Sequence, residues 1–408
     1  MKITYSIPHA CRSLRCRHRI LAIFYLVLFL TIVAQSSRSQ ENRDHLFRAR
    51  IDSLFRYETD QNGPGESILI QYHDKVLYRH SFGLADLKSK ENFTERTVSN
   101  LGSISKTFVA YGILKLRDEG KLSLDESIIK YFPDFKNKEI AQKVKIKHLL
   151  THTSGLPDSR NVDGDSIFYL TANDEQNFSP LKSTDTLEFE PGSSWHYSNP
   201  AFNGLALIIE KVSGMKWQKY IEENIFKPAG MGESKITDGA YPEKGVAHGY
   251  RLVNDNWEEY DYGEYPTFNA AGNGGVWSSI EDLRKYFAAM TKASFLGENT
   301  IAYSQTLWRP DNWSGKILGD TLLDSMPPQN GICWFVAEKG VAPRNYKHEI
   351  VYHRGEQAGF TAEFAMIPEK DILILIESNG IALYKGYPSI KGNYFERIYD
   401  VLLEMGYL

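Results

Sequence analysis

Two β-hairpin patterns stand far apart in the chain with mostly helical sequence between them, and this layout limits the fold more than any other feature. Ser67 to Tyr72 and Val76 to Phe82 flank the polar turn His73-Asp74-Lys75. Thr361 to Ile367 and Ile372 to Ile376 flank Pro368-Glu369-Lys370-Asp371 in the same way. Ile372 to Ile376 is apolar at every position, as a strand buried on both faces requires. Short sheet segments are also expected around Trp334 to Ala337 and Ile350 to His353. Apolar residues at helical spacing fill other stretches. Leu46 to Phe55 is one; Ser103 to Arg117, apolar at Phe108, Val109, Ile113 and Leu116, is another and stops near Gly120. A third stripe, Phe202, Leu205, Ala206, Ile209 and Val212, ends at Gly214. Ser279 to Met290 opens on Ser279 and Glu281-Asp282, good chemistry for a helix start. Strands at both ends with helices between predict one sheet built from both termini, with a helical region inserted.

The N-terminus carries a different signal. Lys2, Arg12, Arg15, Arg17 and Arg19 precede an apolar run from Ile20 to Ala34, followed by Gln35-Ser36. A basic head, a short apolar stretch and a small-residue exit have the layout of a secretory signal peptide over residues 1–36. The run is shorter than the roughly 20 residues that span a bilayer. Export to the periplasm or the extracellular space is the expectation, and an uncleaved signal anchor would be the one link to a membrane. Cys11 does not follow the apolar run, so no lipid attachment is expected there. Loss of Cys11 and Cys16 with the signal leaves Cys333 alone, which excludes an internal disulfide. Cys333 lies in the apolar run Gly331-Ile332-Cys333-Trp334-Phe335 and reads as a small buried hydrophobe. A net charge of −4 offers no basic excess for nucleic acid.

Three short motifs carry chemistry. In Ser103-Ile104-Ser105-Lys106, residues three apart share a helix face, so the Ser103 hydroxyl and the Lys106 amine can meet. A serine hydroxyl needs a base before it becomes a nucleophile, and lysine can be that base only if burial lowers its pKa. The spacing recurs at Ser127/Lys130, Ser179/Lys182 and Ser213/Lys216, which read as surface positions. Ser103 differs because Gly102 precedes it and an apolar helix follows at once. Tyr197-Ser198-Asn199 lies between the turn Pro191-Gly192 and a helix beginning near Pro200. A tyrosine near a cation can take the serine proton and pass it to a leaving group. Asn199 can donate to a substrate amide or carbonyl, or cap the helix before Pro200, or both. In His353-Arg354-Gly355, a small residue on a strand edge admits a substrate backbone, and the N–H of Glu356 can point at an oxyanion.

With these motifs in this order, the sequence resembles the serine β-lactamase and D-Ala-D-Ala-peptidase superfamily, known for Ser-x-x-Lys, Ser-Asp-Asn and Lys-Thr-Gly. The tyrosine in the second motif is similar to the class C branch and its β-lactamase-related hydrolases and esterases. Leu149-Leu150-Thr151-His152-Thr153-Ser154-Gly155-Leu156 and Gly272-Asn273-Gly274-Gly275-Val276-Trp277-Ser278 support the likeness, which runs from about Gly63 to Gly380. It implies an α/β protein of the α+β type: an antiparallel sheet formed by both termini, flanked by helices, with an inserted mainly helical subdomain. The expected domain covers 44–405, its sheet from about 63–85 and 330–380 and its helical insertion from about 120–270. The resemblance also implies roles. Ser103 would be acylated, Lys106 and Tyr197 would share general acid and base duty, and Asn199 would orient substrate. The N–H groups of Ser103 and Glu356 would form the oxyanion hole, with His353 and Gly355 lining the substrate strand. His353 departs from the usual cation and Arg354 from the usual threonine, which weakens the case for β-lactam hydrolysis. Arg354 either grips a carboxylate bidentately or points away along an alternating strand.

The implied activity is a serine hydrolase working through an acyl-enzyme, of the D-Ala-D-Ala-peptidase or esterase type. Its substrates would be small molecules, peptides or peptidoglycan fragments, and it needs no cofactor and no metal. A zinc helix fails because His348 and His353 are five apart rather than four, and no Gly-x-Ser-x-Gly occurs. Asp163, Asp165 and Asp174 could hold calcium, but their spacing is not that of an EF-hand loop and reads as a solvated loop. The alternative from another class is a non-catalytic, penicillin-binding-like sensor with the same fold.

Overall fold

The uniformly apolar run near the C-terminus is an inner strand. The computed structural model describes residues 10–55, 61–160, 168, 171–236, 245–260, 271–309, 312–314, 316–318, 330–341, 344–384, 387–389 and 394–408. Within it, six strands form the main sheet: β1 (Glu66–Tyr72), β2 (Lys75–Phe82), β3 (Phe335–Ala337), β4 (Ile350–Gln357), β5 (Phe360–Ile367) and β6 (Ile372–Ser378). Their order is β3-β4-β5-β6-β1-β2, and every pairing is antiparallel. β6 pairs with β1, Ile374 opposite Ile70, and all of its side chains are buried. Both expected hairpins form. Their turns place His73 and Asp371 at positive φ, which short polar residues tolerate, and the His73 N–H donates to the Asp371 carbonyl at 2.8 Å.

Alternation along the strands divides the interior in two. Val351, Ala362, Phe364, Leu373 and Leu375 face a core shared with Phe108, Tyr111 and Ile113 of helix α2 (Ser105–Asp118). Ile350, Ala365, Ile367, Ile374 and Ile376 face the opposite way. They pack on Phe47, Ile51 and Phe55 of helix α1 (Ala10–Phe55) and on Ile398 and Leu402 of the C-terminal helix, Tyr394–Glu404. The sheet is therefore covered on both faces by helices. Residues 1–9, which include Lys2 of the expected signal, lie outside the described residues, and α1 runs unbroken through position 36. Among the described residues, no helix is long and apolar enough to cross a membrane.

Helices α3 (Asp174–Lys182), α4 (Asn199–Ser213) and α5 (Ile280–Thr291) complete the frame of the site. Two boundaries differ from expectation. Ser198, not Asn199, caps α4: its hydroxyl accepts from the Ala201 N–H at 3.3 Å, and Asn199 becomes the first helical residue. Ser103 is not on the α-helix but on a single 3-10 turn, Gly102–Ile104, that leads into α2. Gly102 makes that turn at φ +49, its N–H held by the Asn100 side chain at 2.7 Å. Cys333 is buried, and burial pushes its thiol pKa up, in line with a packing role.

Candidate active site

The tight turn before α2 presents Ser103 to two groups at once. Lys106 Nζ donates to Ser103 Oγ at 2.9 Å, and the Tyr197 hydroxyl donates to the same oxygen at 2.8 Å. Hydroxyl and amine, three residues apart, thus meet a phenol 94 residues further on at one atom. Lys106 is fully buried. Burial pulls its pKa down to about 7, and the Arg160 charge acts in the same direction. Its amine also donates to the Asn273 carbonyl at 2.6 Å, and the Tyr197 ring lies 5.2 Å away.

Tyr197 follows a short strand, Ser194–His196, and its ring stacks on His152 with centroids 4.4 Å apart. The Ser198 N–H donates to His152 Nδ1 at 3.0 Å, so the ring proton sits on Nε2 and the imidazole is neutral. Burial, then the nearby Lys106 charge, holds the His152 pKa well below its usual range. The sequence showed His152 only as part of a supporting stretch; nothing in its neighbours there announced that it would seat the tyrosine.

β4 brings the third motif to the nucleophile. A Cβ at Gly355 would lie 1.9 Å from the Leu101 carbonyl oxygen and 3.0 Å from Ser103 N, and one at Gly102 would lie 2.5 Å from Glu356 N. Two glycines therefore let turn and strand touch backbone to backbone, which sets the N–H groups of Ser103 and Glu356 side by side. His353 shares the strand face of Gly355 and Val351, toward α2. It is buried, and its Nδ1 donates to the Arg354 carbonyl at 2.7 Å. Burial, with Lys106 adding to it, lowers the His353 pKa to about 3. Arg354 takes the second of its two expected courses. It lies on the opposite face, opposite Glu363 of β5, and its Nε and Nη2 both donate to Glu363 Oε1 at 3.2 Å.

A polar network behind Lys106 is the largest part that sequence reasoning missed. Asp174, the first residue of α3, accepts from the Gly272 N–H at 2.8 Å and from Asn203 Nδ2 at 2.8 Å. Asn203 Nδ2 also reaches Asn273 Oδ1 at 3.2 Å, and Asn273 holds Lys106 through its carbonyl. Burial raises the Asp174 pKa to about 7. Asn203 had a readable signal, since it lies one turn after Asn199 on the same face of α4. Asp174 is thus a buried backbone acceptor rather than part of a solvated loop, while Asp163 and Asp165 lie outside the described residues. No group of three or more His, Cys, Asp or Glu placed to hold a metal occurs among the described residues.

An antiparallel sheet clad in helices is the architecture shared by serine β-lactamases and penicillin-binding proteins, and here serine, lysine and tyrosine meet beside one of its strands. The chain belongs to the Beta-lactamase family, whose model matches residues 44–383. Among curated relatives, Penicillin-binding protein 4* of Bacillus subtilis is 31% identical over 269 residues, covering 62% of this chain and 57% of the relative. Protein flp of Staphylococcus aureus is 25% identical over 335 residues, covering 81% of this chain and 62% of the relative. The matches thus span less than two thirds of either relative's length. The octameric penicillin-binding protein homologue from Pyrococcus abyssi superposes with a TM-score of 0.69 at 26% identity, covering 88% of this chain and 77% of that one. D-amino acid amidase from Ochrobactrum anthropi, solved with L-phenylalanine amide, gives a TM-score of 0.69 at 20% identity, covering 89% and 98%; this is a likeness of fold.

Proposed function

We propose that the protein is a serine hydrolase that cleaves an amide or ester bond through an acyl-enzyme on Ser103. The observation that carries this reading is the pair of hydrogen bonds from Lys106 and Tyr197 onto Ser103 Oγ. A lysine with its pKa near 7 is neutral often enough to accept a proton at physiological pH. Ser103 Oγ forms a bond to the substrate carbonyl carbon while its proton passes to the Lys106–Tyr197 pair. These two groups titrate together, and the proton belongs to both. The N–H groups of Ser103 and Glu356 hold the oxyanion. Collapse breaks the bond to the leaving nitrogen or oxygen, which takes the stored proton. Water then repeats the cycle, releasing the acid and restoring Ser103. Asn199 orients the substrate, and His353 and Gly355 line the strand along which it lies. The N-terminal signal pattern supports export, where peptides and peptidoglycan fragments are at hand.

The test is covalent labelling. A fluorophosphonate probe is expected to add one adduct mass to the protein at Ser103, and none to Ser103→Ala. An unlabelled wild type, or equal labelling of the variant, would overturn the reading.

A further inference from the structure

A base works only where its lone pair is aimed, and the aim is as firm as the groups that hold it. Lys106 donates to the Asn273 carbonyl at 2.6 Å. That carbonyl belongs to a tight turn, in which the Ala271 carbonyl accepts from the N–H groups of Gly274 and Gly275 at 3.1 and 2.7 Å. The turn is gripped from several sides. Gly272 lies so close to α4 that a Cβ there would meet Ala206 Cβ at 2.7 Å and the Phe202 carbonyl oxygen at 2.8 Å. A Cβ at Gly274 would meet Gln357 Oε1, at the end of β4, at 2.3 Å.

Two side chains fasten its ends. Before Asn273, Asp174 of α3 accepts from the Gly272 N–H at 2.8 Å. After it, Ser105 Oγ accepts from the Val276 N–H at 2.9 Å, and the Val276 carbonyl accepts from the Leu101 N–H at 3.0 Å. Both side chains are buried. Ser105 stands between the nucleophile and the base in the sequence, so the turn is tied to the stretch of chain that it serves. The same oxygen of Asp174 also accepts from Asn203 Nδ2 at 2.8 Å, and that amide reaches Asn273 Oδ1 at 3.2 Å. One carboxylate oxygen thus steadies both the backbone before Asn273 and the Asn273 side chain. Neither Asp174 nor Ser105 is a hydrogen-bond partner of Ser103 Oγ or Lys106 Nζ.

We propose that Asp174 and Ser105 are positioning residues for the base: they clamp the turn at 271–276 by its two ends, so that the Asn273 carbonyl keeps the Lys106 amine aimed at Ser103. This rests on the acyl-enzyme reading above. Asp174 serves here as an acceptor of two N–H groups rather than as a charge, and the oxygen of an asparagine can do the same. With the clamp released, the ammonium form of Lys106 loses its carbonyl acceptor inside a buried site. That loss disfavours the charged form and lowers the lysine pKa further.

The experiment follows the rate at which a fluorophosphonate labels Ser103 between pH 5 and 9. In Asp174→Ala and in Ser105→Ala the rate at pH 9 is expected to fall by about tenfold or more. The midpoint of its rise should move about half a pH unit or more below that of the wild type. Asp174→Asn removes the charge but keeps the acceptor, so its rate should stay within about threefold of wild type with the midpoint in place. Ser105→Ala changes no charge, and it carries the test should Asp174→Ala fail to fold. Tyr197, Cys333, Arg160, His152 and His353, the ionisable groups around Lys106, are the same in all three variants, so a moved midpoint reports the turn. A merely structural role would lower the melting temperature and leave the midpoint where it was. A wild-type rate in either folded alanine variant, a midpoint unmoved or raised, or Asp174→Asn as slow as Asp174→Ala overturns the proposal alone. Absence of labelling in the wild type overturns the acyl-enzyme reading and this proposal with it.

Discussion

Lys106 is tied to Asn273 across 167 residues of sequence, its buried amine donating to that residue's backbone carbonyl at 2.6 Å. The contact aims the amine while leaving it uncharged chemistry to do: a carbonyl neutralises no charge, so the ammonium form stays expensive. A carboxylate in the same place would have raised the pKa and ruled out the proposed role as base.

This gives a pH profile. Below pH about 7 Lys106 is protonated and has no lone pair to receive the Ser103 proton; above it the amine is free. Activity, as kcat/KM for an activated ester, should rise through pH about 7 and fall roughly tenfold per unit below it. Lys106→Arg, protonated at any working pH, should be inactive throughout. A rate flat from pH 5 to 9 would take Lys106 out of the proton path.

Tyr197→Phe keeps the ring that stacks on His152 and removes only the hydroxyl that touches Ser103. A fall in kcat of about a hundredfold or more is expected, with the melting temperature unchanged. Full turnover in the variant would leave Lys106 as the whole acid–base apparatus.

Gly355→Ala tests the backbone contact on which the proposed oxyanion site depends. The added Cβ, 1.9 Å from the Leu101 carbonyl, forces β4 away from the turn that carries Ser103. Loss of an oxyanion donor costs about 10²–10³ in kcat, and a lower melting temperature should accompany it. Gly232→Ala, where a Cβ meets nothing within 4 Å, serves as the control and should change neither.

Asp174→Asn should stabilise the protein, and only in part of the pH range. The folded pKa of Asp174, about 7, lies above the unfolded value of 3.8. Below pH about 4 the carboxyl is protonated in both states and costs nothing. Between pH 4 and 7 the unfolded chain alone is ionised, so wild-type stability falls as pH rises, and above 7 the loss is complete. Melting curves of the two proteins should coincide at pH 4 and part by several degrees at pH 8, the asparagine variant higher.

Much of this was readable in the sequence because period and punctuation are local. The apolar run at Ile372, the polar hairpin turns and the stripe ending at Gly214 each specify their element without help. The serine, lysine and tyrosine were readable because three motifs fell in one order. What escaped was set by tertiary contact. Asp174 became a buried acceptor only because Gly272 and Asn203 fold onto it. His152 became the seat of Tyr197 only through a bond from a backbone N–H. Arg354 had two courses open until the pleat placed Glu363 across from it on β5.

The pairing of β1, early in the chain, with β6, late in it, bears on when the protein can act as it is made. Ser103, Lys106 and Tyr197 all leave the ribosome before β4 and β6 exist. A growing or prematurely stopped chain would carry the reactive trio, but the N–H of Glu356 and the sheet behind it arrive last. Such contacts between remote segments also form slowly. On the proposed mechanism, the oxyanion site is therefore completed only when synthesis is nearly finished.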